Sequence, residues 1–288
     1  MGFRYGFSWP GLALDARPGV SPLLLVCLLA AVPALGNAAA EWRYSVGAHD
    51  FSVPDVDSHT YGINTSILVD QHSDTGPHLF GSFELLLDHD TDHLDPDHVP
   101  LWSQVLATAD SDFWREGQLH FGWGAEFRGR VNTVSSVERQ FTALPALVAG
   151  YDGDRFQASA EAGAGWFMLE LDDDAPRQRG YGRTGLRNST LAYAFTGKAG
   201  LKLGEFWTVS GLARHWQEGD QSIEEQYTLE LRGDVGHWID SHAGKNTELV
   251  LSSDFYKYNL DMYKQPNALP VLGWNDDVMF KVALESKW

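Results

Sequence analysis

The chain has 288 residues, with 39 acidic against 21 basic side chains and a formal net charge of −18. Such acidity excludes a nucleic-acid-binding protein, which needs a basic face to displace the counterions of the phosphate backbone. It also disfavours a peripheral protein held on anionic lipid by clusters of lysine.

Residues 1–40 predict a signal peptide for export. Two arginines precede an apolar stretch from Leu23 to Leu35, and Ala38–Ala40 supply the small residues of a cleavage site. The apolar stretch is shorter than the about 20 residues of a membrane-spanning helix, although a retained amino-terminal anchor is the alternative. Cys27 is the only cysteine and lies within this stretch, so residues 41–288 contain none.

Residues 41–288 show repeated alternation of apolar and polar side chains, which predicts strands with one apolar face. In one segment Tyr61, Ile63 and Ile67 fall on one face, while Asn64 and Ser66 fall on the other. No apolar run of about 18 residues occurs here, which excludes a helical membrane protein. The predicted strands are 41–51, 59–70, 79–88, 99–107, 118–131, 139–151, 155–169, 188–202, 206–216, 223–235, 248–260 and 277–288.

The length of these segments favours strands that cross a membrane. Such strands need about 9 to 11 residues, whereas the strands of soluble sandwiches usually have about five or six. Eleven tryptophans and ten tyrosines are typical of the aromatic girdles at membrane interfaces. A secreted β-sandwich is the alternative.

An even number of strands places both chain ends on one side of the membrane, the periplasmic side. Twelve strands then place the turns 152–154 and 203–205 on that side, where short turns belong. The connections 71–78, 108–117 and 236–247 are long for this side, and Pro145 lies within a predicted strand. A barrel of ten strands therefore remains open.

The last predicted strand carries the clearest class signal. Phe280, Val282, Leu284 and the final Trp288 share one face. Lys281, Ala283 and Glu285 alternate with the first three on the opposite face. This pattern resembles the closing strand of Gram-negative bacterial outer-membrane β-barrel proteins. The resemblance implies an all-β, transmembrane, antiparallel up-and-down barrel over residues 41–288. It also implies contact with outer-membrane lipid and lipopolysaccharide, and recognition of those four residues by the barrel-assembly machinery.

Closure of a barrel points side chains alternately to lipid and to the lumen. Charged side chains in the lumen set the field of a pore or form a structural network that leaves no buried charge unpaired, and both interpretations are open. The residues predicted to line the lumen are Arg43, Glu84, Glu126, Arg128, Glu161, Lys198, Glu230, Arg232, Lys281 and Glu285.

Twelve strands lie between the eight of a side-chain-filled barrel and the sixteen to eighteen of an open porin. We therefore expect a narrow passive channel. The acidity of the chain favours small cationic or neutral solutes. The alternative is a non-conducting surface-anchor or interaction barrel, similar to a stand-alone autotransporter β-domain. An outer-membrane lipid hydrolase is less favoured, because the adjacent Ser and His residues at 58–59, 72–73 and 241–242 would point to opposite faces. No catalytic residue is predicted.

The densest polar cluster lies between two predicted strands, on the outer side. Asp88, Asp90 and Asp92 match the first three ligand positions of a calcium loop, but His93 replaces its turn glycine. The histidines of the cluster make zinc the other candidate. The prediction is a calcium or zinc site at these four residues, against the alternative of a solvated acidic loop. No other cofactor is expected.

Overall fold

The computed structural model describes residues 40–54, 58–72, 76–89, 101–131, 137–171, 187–237, 246–259 and 276–288. The predicted signal peptide lies outside them, apart from Ala40. These ranges contain twelve strands and one short 3-10 helix, Val235–His237. The strands are β1 (Ala40–Val53), β2 (Ser58–Gln71), β3 (His78–His89), β4 (Leu101–Glu116), β5 (Leu119–Val131), β6 (Val137–Asp152), β7 (Phe156–Leu171), β8 (Arg187–Leu203), β9 (Trp207–Glu218), β10 (Gln221–Asp234), β11 (Thr247–Tyr258) and β12 (Asp276–Lys287).

The twelve strands form a closed antiparallel barrel in which each strand pairs with its neighbours in sequence. β1 closes the ring by pairing with both β2 and β12, and Val46 lies opposite Leu284 in the second of these pairings. The predicted fold class is confirmed, and the count is twelve. No helix in the described ranges is long and apolar enough to cross a membrane.

Three tight turns lie at the end of the barrel where β1 begins and β12 ends. They connect β4 to β5, β6 to β7, and β8 to β9. Gly117 and Gly204 adopt positive φ angles of 61° and 77° in two of them, a conformation that glycine adopts without steric cost. Among the described residues a fourth tight turn, from β9 to β10 through Gly219, lies at the other end. Short turns predominate at the periplasmic end of outer-membrane barrels, so we call the end with three of them periplasmic. The turns predicted at 152–154 and 203–205 occur one residue later, at 153–155 and 204–206, and both lie at this end.

The fourth strand differs from the prediction. It runs on to Glu116, where 108–117 was expected to be a long connection, and Gly117 turns the chain directly into β5. Residues 108–112 are mostly small or acidic, so they lack the apolar alternation that marks a lipid-facing strand. A register shift between Asp112 and Trp114 interrupts the alternation further. The backbone ladder continues here although the side-chain signal ends.

Pro145 lies in the middle of β6 and does not end the strand. The pairing of β6 with β7 keeps one register past it, from Ala143 opposite Trp166 to Ala146 opposite Gly163. A Cβ atom added to Gly163 would lie 2.2 Å from the carbonyl oxygen of Pro145. Gly163, which lies opposite the neighbouring Ala146, therefore lets the two backbones approach closely beside the proline.

The two faces of the strands differ as expected for a barrel in lipid. On β8 the side chains of Leu191, Tyr193 and Phe195 point outward and are 79%, 56% and 54% exposed. Ala192 and Ala194 alternate with them and are buried inside. On this strand, large apolar side chains thus cover the outer wall, and small ones face the interior.

The extracellular half of the interior is filled by apolar side chains, which we call the extracellular core. These residues come from ten of the twelve strands and are almost fully buried. They are Phe51, Val53, Leu86, Trp102, Val137, Leu144, Phe167, Leu169, Leu171, Ala192, Ala194, Trp216, Ile223, Tyr256, Tyr258 and Met279.

Candidate functional site

The ten residues predicted to line the lumen lie inside the barrel in the structure. Nine of them line the two interior cavities described below, and Arg43 reaches inward to Glu285 at 3.1 Å. Each of the ten takes part in at least one ion pair with another interior side chain. Neutralised pairs are the arrangement that buried charges require.

Glu285 on β12 centres the ion pairs nearest the periplasm. It accepts hydrogen bonds from Arg43 of β1 at 3.1 Å and from Arg232 of β10 at 2.7 Å. Arg232 also donates to Glu230 at 2.6 Å and to Glu248 at 3.1 Å. This network joins four consecutive strands on both sides of the closing seam.

Deeper in the lumen, ion pairs connect strands that are not neighbours. Arg214 on β9 donates two hydrogen bonds to the carboxylate of Glu126 on β5, at 2.6 and 2.7 Å. Lys281 on β12 donates to Glu84 on β3 at 3.0 Å. Paired charge-assisted hydrogen bonds of this kind are the strongest side-chain links, and here they span the interior.

Two arginines of β5 reach across the whole barrel. β11 is six strands from β5 in a ring of twelve, so the two strands face each other. Arg130 donates to the Tyr258 hydroxyl at 2.6 Å and to Asp277 at 3.0 Å. Arg128 donates to the Gln226 side-chain oxygen at 2.5 Å and to the Tyr256 hydroxyl at 3.4 Å. We call the set Arg128, Arg130, Gln226, Tyr256, Tyr258 and Asp277 the cross-lumen bridge.

Aromatic rings hold the guanidinium group of Arg130 in place within the bridge. It lies 5.2 Å from the ring centroid of Trp102 and 4.8 Å from that of Tyr256. Tyr256 and Tyr258 stack on each other with their planes 7° apart. Cation–π contacts gain strength when water is excluded, and Arg130 is buried. The bridge therefore closes the lumen with packed groups.

Two cavities lie on the periplasmic side of the bridge. The larger, about 610 Å³, extends from His120 and Asp152 near the strand ends to Glu126 and Leu144. The smaller, about 330 Å³, extends from Glu285 to Arg128 and Tyr256 of the bridge. The lumen is thus divided into a periplasmic half with open volume and a filled extracellular half.

Asp88, one of the predicted metal ligands, lies inside the barrel beyond the bridge. Its carboxylate is fully buried and contacts both the His49 ring and the Trp102 indole N–H. Asp90, Asp92 and His93 lie outside the described residues. Both oxygens of Asp88 thus have protein partners, and the outer-loop calcium or zinc site stays a prediction.

The paired residues at the periplasmic ends of β2, β3 and β4 form a first polar cluster on the rim. His78 bonds Asp110 through Nδ1 at 3.0 Å and Asp70 through Nε2 at 2.7 Å. It is the twelfth residue from the extracellular end of β3, beyond the about 9 to 11 that cross a membrane. The hydrogen bond to Asp110, helped by Asp70 and opposed by partial burial, raises the pKa of His78 to about 9.

A second polar cluster lies beside it on the β4–β5 hairpin. Asp112 accepts from Arg115 at 2.7 Å and pairs with His120 Nδ1 at 2.9 Å. Burial disfavours the charged carboxylate of Asp112, but the hydrogen bonds from Arg115 and His120 outweigh burial and lower its pKa. Arg115 also reaches Asp152 at 3.0 Å. Most of these groups line the larger cavity, so its mouth is acidic and histidine-rich.

Of the adjacent Ser and His residues considered as a hydrolase site, only Ser58, His59 and His72 belong to the described residues. His59 pairs with Asp50 at 2.5 Å, and His72 pairs with Asp70 at 3.2 Å. Ser73, Ser241 and His242 lie outside the described residues. The absence of enzymatic activity stays a prediction.

Sequence reasoning missed several residues of the site. Arg130 follows Arg128 by two positions, so the period of a strand would have placed it in the lumen as well. Arg214 lay in a predicted strand without being assigned to a face. Tyr258 and Asp277 lay near strand ends, and nothing in the sequence indicated that they pair with Arg130.

The side chains on the outer wall indicate that the barrel lies in lipid. Exposed leucine, valine, phenylalanine, tyrosine and tryptophan side chains occur on every strand from β1 to β10 except β9, and again on β12. A closed ring leaves no strand edge unpaired, as a β-structure in hydrocarbon requires. The protein is an integral outer-membrane β-barrel.

Phe280, Val282 and Leu284 of β12 belong to this outer wall, and Trp288 is 80% exposed beyond the strand. These are the four residues predicted as an assembly signal. Their outward orientation makes them accessible from the lipid side, while recognition by the assembly machinery stays a prediction.

Comparison with known proteins matched solved structures only. Neither a protein-family model nor a curated protein matches the chain. An outer-membrane channel from Pseudomonas putida F1 is 9% identical with a TM-score of 0.49, over 88% of this chain and 97% of that one. The NanC porin is 11% identical with a TM-score of 0.48, over 85% and 100%. The outer-membrane phospholipase A of Escherichia coli is 9% identical with a TM-score of 0.41, over 85% and 89%.

Proposed function

We propose that this outer-membrane barrel is a narrow channel for small cationic or neutral solutes, and that the cross-lumen bridge closes it at rest. The observation that carries the proposal is the contact of Arg128 and Arg130 with the opposite wall. A solute on the periplasmic side reaches the bridge through open volume. It passes only when the bridge parts and the apolar side chains of the extracellular core move aside with it.

The composition of the bridge supports a gate that opens. Arg128 and Arg130 carry long side chains, and their partners are two tyrosine hydroxyls, an amide and a carboxylate. Such contacts have a second favourable state, because water can replace each hydrogen bond when the arginines swing aside. A lumen filled by apolar side chains alone would lack this alternative.

The charges along the path support a preference for cations. The lumen pairs its acidic and basic side chains, which leaves little net field in the middle. Around the mouth of the larger cavity, the four carboxylates of Asp70, Asp110, Asp112 and Asp152 outnumber two cations, Arg115 and the protonated ring of His78. An acidic mouth concentrates small cations and repels anions.

Single-channel recording in planar bilayers tests the proposal. We expect the refolded protein to show rare openings of small conductance, with a reversal potential in a salt gradient that reports cation preference. Arg128→Ala with Arg130→Ala should open the channel several-fold more often. Tyr258→Phe removes the two hydrogen bonds of one hydroxyl, to Arg130 and to Asp277, keeps both arginines, and should have a smaller effect in the same direction.

Arg115→Ala is the matched control, because it removes an arginine from the periplasmic hairpin and leaves the bridge intact. It should keep the openings of the unmutated protein. Heat-dependent migration in gels, a property of folded barrels, confirms that each variant has folded. Anion preference would contradict the selectivity.

The filled extracellular core favours a second candidate, a non-conducting barrel that serves as an anchor or interaction surface. Its apolar side chains come from both sides of the ring and are almost fully buried. Silence of the unmutated protein and of the double arginine variant in the bilayer would support this candidate and reject the channel.

A further inference from the structure

We propose that Asp70, His72 and His78 bind a divalent transition-metal ion, of the zinc, cobalt or nickel class, on the periplasmic rim of the barrel. The site is independent of whether the lumen conducts. It differs in residues and in side of the membrane from the calcium or zinc site predicted at Asp88–His93.

Three possible ligand atoms converge at this point of the rim. Asp70 Oδ1 lies 2.7 Å from His78 Nε2 and 3.2 Å from His72 Nδ1. One ligand atom from each residue lies within 4.8 Å of the other two. Zinc bonds of 2.0–2.1 Å in a tetrahedron separate neighbouring ligand atoms by about 3.3 Å. Asp70 Oδ1 and His72 Nδ1 already have this spacing, and the distance between Asp70 Oδ1 and His78 Nε2 must widen slightly. Rotation of the exposed His72 ring adjusts the distance between the two histidine nitrogens.

Asp110 supplies a second, independent feature of a metal site. Its carboxylate lies 3.0 Å from Nδ1 of His78, whereas the other ring nitrogen, Nε2, faces Asp70. A proton on Nδ1 donates to Asp110 and leaves the lone pair of Nε2 for the metal. Histidine ligands are commonly oriented by a carboxylate in this way. Asp110 is thus a positioning residue and not a ligand.

The fold brings these residues together from three strands. Asp70 lies near the end of β2, His78 begins β3, and Asp110 lies directly opposite His78 on β4. Strand pairing therefore fixes three of the four side chains. The ring centroids of His72 and His78 are 4.2 Å apart, although His72 itself follows the last residue of β2.

The ligand types define the class of ion. Two imidazoles with one carboxylate suit zinc, cobalt, nickel and copper, whereas calcium and magnesium prefer sites made of oxygen alone. Three protein ligands leave at least one position for water or for a small solute. Because His78 and Asp110 line the larger cavity, a bound ion would bring positive charge to its mouth.

The neighbouring cluster of Asp112, Arg115 and His120 contains a similar histidine–carboxylate pair that cannot bind a metal ion. Asp112 and His120 also pair at 2.9 Å, but Arg115 occupies the same carboxylate at 2.7 Å. A guanidinium group at that distance neutralises the carboxylate and excludes a cation. His120 is therefore a matched control for the two histidines of the proposed site.

Calorimetric titration of the refolded full chain with zinc chloride, after removal of metals by chelation, tests the proposal. We expect one ion per chain at this site. His72→Ala and His78→Ala should each weaken binding at least tenfold, and His120→Ala should leave it unchanged. Asp110→Asn should weaken binding by about 10- to 100-fold, as for other groups that orient a ligand. Cobalt chloride should give the visible absorption of a four-coordinate site in the unmutated protein, and a weaker band in His78→Ala.

Unchanged zinc affinity in both His72→Ala and His78→Ala would overturn the proposal, as would no zinc binding at all. Loss of binding in Asp90→Ala with His93→Ala, and not in the rim variants, would place the ion at the outer loop instead. His72 is 76% exposed, so its replacement leaves the barrel folded and keeps the test decisive if His78→Ala misfolds.

Discussion

At the scale of single residues, His78 shows how strand pairing sets the chemistry of a side chain. It lies between Asp70 and Asp110, which belong to the strands on either side of its own. Both carboxylates favour the protonated ring. The histidine thus carries a positive charge at neutral pH in the metal-free protein, and this charge ties three strands together at the rim.

This arrangement gives a prediction for the dependence of stability on pH. The pKa of His78 rises from an ordinary 6.5 to about 9 in the fold, chiefly through the hydrogen bond to Asp110. The stabilisation is therefore complete below pH 6.5 and is lost as the pH rises through about 9.

NMR titration of labelled histidines in a metal-free sample measures this pKa directly. Asp110→Asn should return it towards its ordinary value, whereas Asp152→Asn, which changes the neighbouring cluster, should not. A His78 ring that titrates near 6.5 in the unmutated protein would show that the two hydrogen bonds do not form.

The sequence predicted which residues face the lumen, because the alternation of a strand depends only on local geometry. It could not predict their partners. Arg130 and Tyr258 are 128 positions apart and meet only after the ring has closed. The same holds for the metal site, where Asp70 and His78 are eight positions apart but lie on different strands.

At the scale of elements, β6 and β7 show how a proline is accommodated in a strand. Gly163 lies close to Pro145, where an added Cβ would meet the carbonyl oxygen at 2.2 Å. Gly165 lies equally close to Ala143, at 2.1 Å from its carbonyl oxygen. Backbone atoms cannot move aside as a flexible side chain can, so both positions require glycine.

We therefore predict that Gly163→Val destabilises the barrel. Overpacking of this kind costs about 1–3 kcal/mol or more. Urea unfolding in lipid vesicles, followed by tryptophan fluorescence, measures the loss. Ala162→Val is the control, since Ala162 is the preceding residue and is exposed on the outer face. Equal stability of the two variants would contradict the close approach of β6 and β7.

Element boundaries could be predicted only where lipid imposes a pattern. The strands β5 and β8 alternate along the predicted length and were placed to within one residue. The end of β4 could not be predicted from such alternation, because the part of a strand that extends into water does not need an apolar face. Backbone pairing with β5 decides its length instead.

At the scale of the whole molecule, the barrel divides its lumen at the cross-lumen bridge. Open volume lies on the periplasmic side, and the extracellular core fills the other side. The sequence favoured twelve strands, and with that count the side of each connection, although ten strands remained open. The division of the lumen into an open and a filled half could not be predicted, because it depends on which interior side chains are long enough to meet across the ring.

Accessibility of single cysteines tests this division most directly, because residues 41–288 contain no cysteine of their own. Ser159 lines the larger cavity, and Ala194 is 1% exposed in the extracellular core. We predict that Ser159→Cys reacts with a charged thiol reagent added from the periplasmic side and not from outside. Ala194→Cys should resist the reagent from both sides. Rapid labelling of Ala194→Cys from outside, at the rate of Ser159→Cys from the periplasm, would contradict the closed extracellular half.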